Sequence, residues 1–218
     1  MMKERQSNYD KVIETWRKKF LEMDHEELIR RFHLDADKEA LYVTYFSQVL
    51  RLDRKTGVIT YENEGALKGQ RPGFNTSMTI YNMFHYSLPQ PFPSGKLVPF
   101  REVKRVYPFE KAYQNTIILK LVKTFSGHVK EMTEACERLD GTSMPQGDVG
   151  YVIPVFPFLN IAVLFWDEDE EFSAQANMLF DSNITDFMHE ENVVGVASDA
   201  VYYLTLAAGL DAKEIYGG

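Results

Sequence analysis

The sequence has a single cysteine, Cys136, among its 218 residues. One thiol cannot form an intrachain disulfide, a Cys-x-x-Cys redox pair or a cysteine-held iron–sulfur cluster. Structural zinc is not expected either, because it needs three or four ligands and the five histidines show no paired metal-binding spacing. Cys136 falls in an amphipathic helical pattern, which predicts a core residue rather than a nucleophile.

Long apolar runs are also absent. The longest stretch, residues 151–166, is broken by Pro154, Pro157 and Asn160, and it is shorter than the ~20 residues that span a bilayer. Residues 1–5 are polar and lack the apolar core of a signal peptide. A soluble cytoplasmic protein without a membrane association is therefore expected.

Basic residues are fewer than acidic ones. The chain has 24 lysines and arginines against 32 aspartates and glutamates, for a net charge of −8. A negative field repels phosphate backbones, and the basic residues form only short scattered groups, such as residues 17–19 and 104–105, so no nucleic-acid partner is expected. Gly-rich dinucleotide, P-loop and G-x-S-x-G signatures are missing as well, which leaves no positive evidence for an enzyme.

What is present is the composition of a globular domain, with 44% hydrophobic, 13% aromatic and 26% charged residues. No internal repeat, low-complexity tract or linker divides the chain, so residues 1–218 are expected to form one domain. Apolar residues at helical spacing predict N-terminal helices within residues 8–32 and a final helix over residues 189–208. Further helices are expected after Asn75 and over residues 109–139.

Two segments carry strand patterns. Residues 41–61 are rich in β-branched and aromatic residues around a Gly-containing turn, which predicts a β-hairpin. Residues 151–180 predict a second hairpin, whose last strand alternates apolar and polar residues from Phe172 onward. The sequence thus predicts a single α+β domain, with an antiparallel or mixed sheet built from the two hairpins and covered by helices. The apolar face of the final helix is expected to pack on that sheet.

Five consecutive acids, residues 167–171, follow Trp166 between the strands of the second hairpin. A bound cation would relieve their mutual repulsion, and Ca²⁺ or Mg²⁺ prefers such oxygen ligands. EF-hand spacing is absent, and the alternative is a solvated acidic turn that protects a strand edge from aggregation. If the alternation begins at Phe172, that ring anchors the strand in the core, and Asp169 and Glu171 share one side of the loop.

Strand ends and this acidic turn supply the candidate binding residues. The candidates are Arg101, Glu102, Asp148, Asp169, Glu171 and Asp181. Arg101, on a strand expected at residues 97–103, suits a substrate carboxylate, although its neighbour Glu102 would point to the opposite face. Arg101 or Arg105 is the expected partner of the acidic pair, because a partly buried carboxylate needs positive compensation. Catalytic carboxylates often follow strands, as Asp181 does, but Asp181 beside Ser182 and Asn183 favours a capping role.

Several short segments resemble one protein family. They are residues 93–103 (PSGKLVPFREV), Gly147-Asp148, Pro157, residues 166–172 (WDEDEEF) and residues 179–181 (LFD). Together they resemble the DUF3786 family of uncharacterised proteins, found largely in anaerobic bacteria and archaea. The resemblance implies one fold unit and a cytoplasmic location, but it implies no reaction or ligand. Some relatives carry an additional cysteine-rich, iron–sulfur-type segment, which this chain lacks, so that cofactor does not carry over.

Three functional hypotheses follow. The favoured one is a cytoplasmic binding or accessory module of anaerobic metabolism, which takes a protein partner or a small molecule. The second is an enzyme in which Asp148, Asp169, Glu171 and Asp181 meet in one pocket as metal ligands or acid–base groups. The third is a structural or oligomeric role. A closed pocket with at least two of these carboxylates would favour the enzyme, whereas a large apolar patch would favour an interaction protein.

Overall fold

Two helices open the part of the chain that the computed structural model describes, residues 8–211. Helix α1 spans Asn8–Leu21 and α2 spans His25–Phe32. Asp24 ends the linker between them, and its Oδ1 accepts hydrogen bonds from the backbone N–H groups of the first turn of α2, as an N-cap residue does. Both helices bury aromatic side chains in the core, as their apolar spacing predicted. The expectation about residues 1–5 lies outside the described residues.

The first sheet contains the predicted 41–61 hairpin, with one more turn than expected. Its antiparallel strands, in spatial order, are β1 (Asp35–Ala36), β2 (Ala40–Tyr45), β3 (Gln48–Asp53) and β4 (Ile59–Tyr61). The chain reverses between β2 and β3 at Phe46 and Ser47, which have left-handed φ angles of 46° and 60°. Two-residue hairpin turns with positive φ angles usually contain Asn or Gly. The sequence has neither here, so the turn was missed.

The second sheet holds the other hairpin. Its strands are β5 (Leu97–Pro99), β6 (Thr142–Ser143), β7 (Val149–Phe156), β8 (Leu159–Trp166) and β9 (Gln175–Asp181), in the spatial order β5-β9-β8-β7-β6. The two hairpins therefore lie in separate antiparallel sheets and not in one. The Phe46 N–H donates a 3.0 Å hydrogen bond to the Val155 carbonyl, which joins the two sheets. Strand patterns determine which face of a strand is buried, but they do not select its non-local partner.

Two boundaries in this sheet differ from the sequence prediction. Strand β5 ends at Pro99, and residues 100–102 form a 3₁₀ turn, so Arg101 and Glu102 do not lie on a strand. Strand β9 begins at Gln175, and Phe172 is 62% exposed, so the expected anchoring of Phe172 in the core is wrong. The predicted alternation holds from Ala176 onward, where alternate apolar side chains face the core.

The remaining helices pack around the sheets. They are α3 (Phe74–Tyr86), α4 (Glu110–Ala112), α5 (Leu119–Phe125), α6 (Val129–Arg138), α7 (Ile184–Phe187) and α8 (Glu190–Ala207). A π-helical segment, Tyr113–Ile118, joins α4 to α5. The final helix α8 occurs where it was predicted, but its main neighbours are α3 and α6, and it contacts the first sheet through Asp199 and Tyr203. The result is an α+β single-domain fold.

No helix within residues 8–211 combines the length and the apolar character that crossing a membrane requires. The buried residues of both sheets and of most of the helices form one continuous hydrophobic core. Cys136 is among them, which confirms its prediction as a core residue, and burial raises the pKa of its thiol to about 12. A thiol with so high a pKa is a poor nucleophile at neutral pH.

Candidate functional site

The sequence-predicted carboxylates serve separate turns. Asp148 follows Gly147, and its Oδ2 accepts a 2.8 Å hydrogen bond from the Asp167 N–H. Gly147 has a φ of +76°, and a Cβ there would lie 2.5 Å from the Phe165 carbonyl oxygen, so the backbone passes β8 at a distance that only glycine allows. Asp148 thus ties the start of β7 to the end of β8.

Asp169 closes the acidic turn on itself. Its Oδ1 accepts hydrogen bonds from the N–H groups of Glu171 and Phe172, at 2.8 and 2.7 Å. These bonds lower the pKa of the Asp169 carboxyl below its usual value. The side chain of Glu171 is exposed. The acidic turn is therefore stabilised by its own backbone amides.

The expected arginine partner of this turn is not found. Within residues 8–211, no ion pair joins Arg101 or Arg105 to Asp169 or Glu171. Arg105 instead pairs with Glu190 at 3.4 Å and donates to the Thr185 carbonyl. The 3₁₀ turn after Pro99 changes the direction of both arginines from the one that a continuous strand would give.

Asp181 is a structural cap, as its sequence neighbours predicted. It is only 2% exposed, and its carboxylate accepts hydrogen bonds from the N–H groups of Ser94, Gly95 and Asn183 and from the Ser94 hydroxyl, at 2.8–3.0 Å. These bonds hold the proline-rich loop before β5 against the end of β9. Oδ1 accepts three of these bonds and Oδ2 accepts one, so the carboxylate already serves a structural role.

Three surface hollows lined by residues 8–211 have volumes of about 630, 530 and 320 Å³. None of the three contains two of Asp148, Asp169, Glu171 and Asp181. A search of residues 8–211 likewise found no group of three or more His, Cys, Asp or Glu side chains that could hold a metal ion. Asp148, Asp169 and Asp181 each accept hydrogen bonds from backbone N–H groups, and a shared site for the four carboxylates stays a prediction.

The largest of these three hollows lies elsewhere, between helices α1, α3 and α8 and the π-helical segment. We call it the helical cleft, and it measures about 630 Å³, within the range of ~300–1,000 Å³ typical of small-molecule sites. The residues that line it include Trp16, Asn75, Asn82, Tyr86, Thr116, Lys120, His189, Glu191, Asn192, Gly195 and Ser198. A second hollow of about 530 Å³ shares Thr116 and Lys120 with it, so the concave surface continues along α5.

One wall of the cleft is aromatic. The Trp16 ring lies 5.7 Å from the Tyr86 ring, and the Tyr86 ring lies 5.2 Å from the His189 ring, measured between centroids. The Lys19 ammonium stands 3.9 Å from the centre of the Trp16 ring and makes a cation–π contact. His85 packs edge-on against Trp16, and partial burial together with Lys19 lowers the pKa of its imidazole. This wall offers flat apolar surface to a ligand.

Polar residues of α3 and α8 also line the cleft. The Asn75 amide donates a 3.2 Å hydrogen bond to the Ser198 hydroxyl, and the Asn82 amide donates to the Met78 carbonyl. These bonds fix the orientation of both carboxamides at the cleft surface. The His189 Nδ1 accepts from the Glu191 N–H at the start of α8, so the Nε2 atom of a neutral His189 carries the proton. Lys120 and Glu191 add one charge of each sign.

Two backbone features shape the cleft. Gly195 lets α8 approach α3 closely, since a Cβ at this position would lie 3.3 Å from the Thr79 hydroxyl oxygen. The π-helical segment widens the helix opposite and brings Thr116 and Ile117 into the lining. π-Helical segments are rare in proteins, but those that occur are often found at functional sites.

Behind the cleft, α8 carries a buried polar network. Asp199 is fully buried, and its Oδ2 accepts hydrogen bonds from the Tyr45 hydroxyl at 2.9 Å and the Thr76 hydroxyl at 3.0 Å. The Tyr203 hydroxyl lies 3.3 Å from that of Thr76 and 2.9 Å from that of Tyr61. Burial raises the pKa of Tyr61 to about 12, and burial together with the nearby Asp199 raises the pKa of Tyr203 well above its ordinary value. Asn75 and Ser198, the chain neighbours of Thr76 and Asp199, are thereby held in place.

Sequence reasoning missed the helical cleft because its residues carry no motif. Trp16 falls within the predicted N-terminal helices, Tyr86 within the helix expected after Asn75, and His189 at the expected start of the final helix. The one sequence signal was a polar residue, Asp199, on the otherwise apolar face of the final helix. A charged residue on a buried face needs partners and therefore marks a network.

The fold and the cleft define a mixed α+β protein with an aromatic-walled cleft and no metal cluster among residues 8–211. Comparison with family models matches residues 24–203, most of the chain, to the domain of unknown function DUF3786. The chain therefore belongs to the DUF3786 family, as the resemblance implied. Neither the curated proteins nor the solved structures that were searched gave a significant match.

Proposed function

We propose that this protein is a non-enzymatic binding module that holds a small molecule in the helical cleft. The main support for this proposal is that one concave site combines an aromatic wall with oriented carboxamides. The wall is formed by Trp16 and Tyr86, and the carboxamides belong to Asn75 and Asn82. The matching ligand has a flat apolar body and polar groups along its edge. An aromatic wall gains by burying that body, and fixed carboxamides both donate and accept at its rim.

The composition of the cleft favours binding over catalysis. Its titratable residues include Lys120, His189 and Glu191, and His189 uses its Nδ1 to cap α8. General acid–base pairs and nucleophile–base pairs need hydrogen-bonded partners aimed at a common point. The His189 Nδ1 already accepts the Glu191 N–H, so this nitrogen is not free to act as a general base. The favoured hypothesis of a binding module thus remains our proposal, with a small molecule as its ligand.

The experiment uses the two tryptophans as a matched pair. Trp16 lines the helical cleft, whereas Trp166 lies outside it on β8. The probe is 1-anilinonaphthalene-8-sulfonate, which has a flat apolar body and a polar group. We expect saturable one-site binding to the folded protein, weakened roughly fivefold to tenfold in Trp16→Ala because the aromatic wall is lost.

The Trp166→Ala variant is the control and should bind the probe as the unaltered protein does. Circular dichroism and thermal unfolding of both variants show that the fold is retained. Equal weakening in the two variants, or binding that never saturates, would overturn the proposal, because it would mean that the probe coats general apolar surface.

The setting of this activity is also a proposal. We infer a role in the cytoplasm of an anaerobic organism from the resemblance of segments such as residues 166–172 to the family. Fractionation of cells that carry the native gene, followed by detection with an antibody, tests the location. Recovery in the membrane or the external medium would contradict it.

A further inference from the structure

Trp166 occupies an unusual position at the end of β8. Its side chain is 41% exposed, although most residues of this strand are buried. Trp166 pairs with Gln175 across the hairpin, and Leu164 pairs with Asn177, so these four side chains share one face of the sheet. An exposed indole therefore stands beside two carboxamides on a rigid antiparallel pair.

A separate hollow of about 320 Å³ lies over this face. Arg101, Glu110 and Gln114 also line it, together with Trp166, Gln175 and Asn177. Gln114 donates a 3.2 Å hydrogen bond to Glu110 Oε1. Glu110 Oε2 is buried and has no hydrogen-bond partner among residues 8–211. A buried carboxylate oxygen without a donor is unfavourable, and a ligand hydroxyl would supply one after a small rotation of the side chain.

We propose that this hollow, the Trp166 site, binds a neutral saccharide, with Trp166 as its stacking surface. One side of a sugar ring presents C–H groups that pack on an aromatic face, and its rim presents hydroxyls that both donate and accept. Carboxamides do the same, while Arg101 donates and Glu110 accepts in charge-assisted bonds. The Trp166 site contains each of these groups, and it is independent of the helical cleft.

The neighbouring charge selects against anionic ligands. The five acids 167–171 directly follow Trp166, and the whole chain carries a charge of −8. Nucleotides also stack on tryptophan, but their phosphates would be repelled by this acidic turn. A neutral polyol meets no such repulsion. In this proposal, the acidic turn contributes to ligand specificity by repelling anionic ligands, and it needs no bound cation to do so.

The test titrates the full chain with maltotetraose, cellotetraose and chitotetraose, and separately with adenosine monophosphate. A Trp16→Phe background leaves Trp166 as the sole tryptophan, so its fluorescence reports occupancy of the site. We expect saturable binding of at least one saccharide, with a Kd of about 1 mM or tighter. Trp166→Ala, followed by calorimetry, should weaken that binding roughly tenfold or more, and Asn177→Ala roughly threefold.

Phe172→Ala is the matched control, because Phe172 is a more exposed aromatic residue on the same hairpin that does not line the hollow. It should change saccharide affinity less than about twofold. The proposal would be overturned if none of the three saccharides gave saturable binding, or if adenosine monophosphate bound more tightly than the saccharides. Equal losses of affinity in the Trp166 and Phe172 variants would also overturn it. The Trp166→Phe variant keeps an aromatic ring and should therefore retain part of the saccharide affinity. This result would show that the loss in Trp166→Ala comes from lost stacking and not from unfolding.

Discussion

The hydroxyl of Tyr45 donates a 2.9 Å hydrogen bond to the carboxylate of Asp199, 154 positions later in the chain. Both side chains are fully buried, and the bond connects the last position of β2 to the final helix. Asp199 also receives the hydroxyl of Thr76 from α3. Three elements that are distant in sequence thus meet at one buried carboxylate, directly behind the helical cleft.

The first prediction concerns this bond. Tyr45→Phe should lower the free energy of unfolding by about 1.5–3 kcal/mol, because it removes a buried donor to a carboxylate. The control is Tyr42→Phe on the same strand, where the lost 2.8 Å bond to Asp37 lies at the surface. Urea denaturation of both variants measures the difference. Equal effects would show that the Asp199 network contributes nothing specific to stability.

A second prediction addresses the wall between α3 and α8. The Thr79 hydroxyl is buried and has no hydrogen-bond partner within residues 8–211. Thr79→Val keeps the shape of the side chain and removes this unsatisfied group, so we expect stability to rise by about 1 kcal/mol. Thermal unfolding measures the change. As a control, Thr76→Val should destabilise, because Thr76 donates to Asp199; a loss of stability in Thr79→Val would indicate that the hydroxyl has a partner.

A third prediction concerns the capping role of Asp181. Asp181→Ala removes a buried acceptor and leaves the partly buried donors of residues 94, 95 and 183 without it, which should cost about 2–4 kcal/mol of stability. Asp169→Ala also removes two backbone bonds, but in an exposed turn where water replaces the carboxylate, so its effect should be much smaller. Chemical denaturation compares the two. A smaller loss for Asp181 than for Asp169 would contradict the structural assignment.

The fourth prediction is a pH dependence at the turn between β3 and β4. Hydrogen bonds, first of all from the Thr56 N–H, lower the pKa of Asp53 below its ordinary value of 3.8. A carboxyl with a lowered folded-state pKa stabilises the fold above its unfolded pKa, and this contribution is lost as the pH falls through the folded pKa.

Asp53→Asn cannot ionise, so the stability difference between it and the unaltered protein should be full at about pH 6 and shrink below about pH 4. Denaturant titrations at several pH values measure this difference. The Lys55→Ala variant, which keeps the carboxylate, should run parallel to the unaltered protein. A stability difference that stays constant down to about pH 3 would contradict the assigned pKa direction.

The sequence by itself determined the local structure. Apolar spacing within residues 8–32 predicted the two N-terminal helices, and the apolar stripe from Val193 to Ala208 predicted α8, because the buried face of a helix repeats every three to four residues. The alternation through Met178 and Phe180 predicted which face of β9 is buried. The segments resembling the family were enough to predict membership in it, and the family match over residues 24–203 confirms this. Each of these inferences depends on residues that are neighbours in the chain.

Only the tertiary structure decided which distant residues meet. The 3₁₀ turn after Pro99 separated Arg101 from its expected acidic partner and placed it with Trp166 in the lining of one hollow. The division into two sheets, the helical cleft and the contact of Tyr45 with Asp199 depend on how loops bring remote elements together. Periodicity and capping act over one or two turns of chain, whereas the geometry of a site is set by packing across the core, which no local pattern encodes.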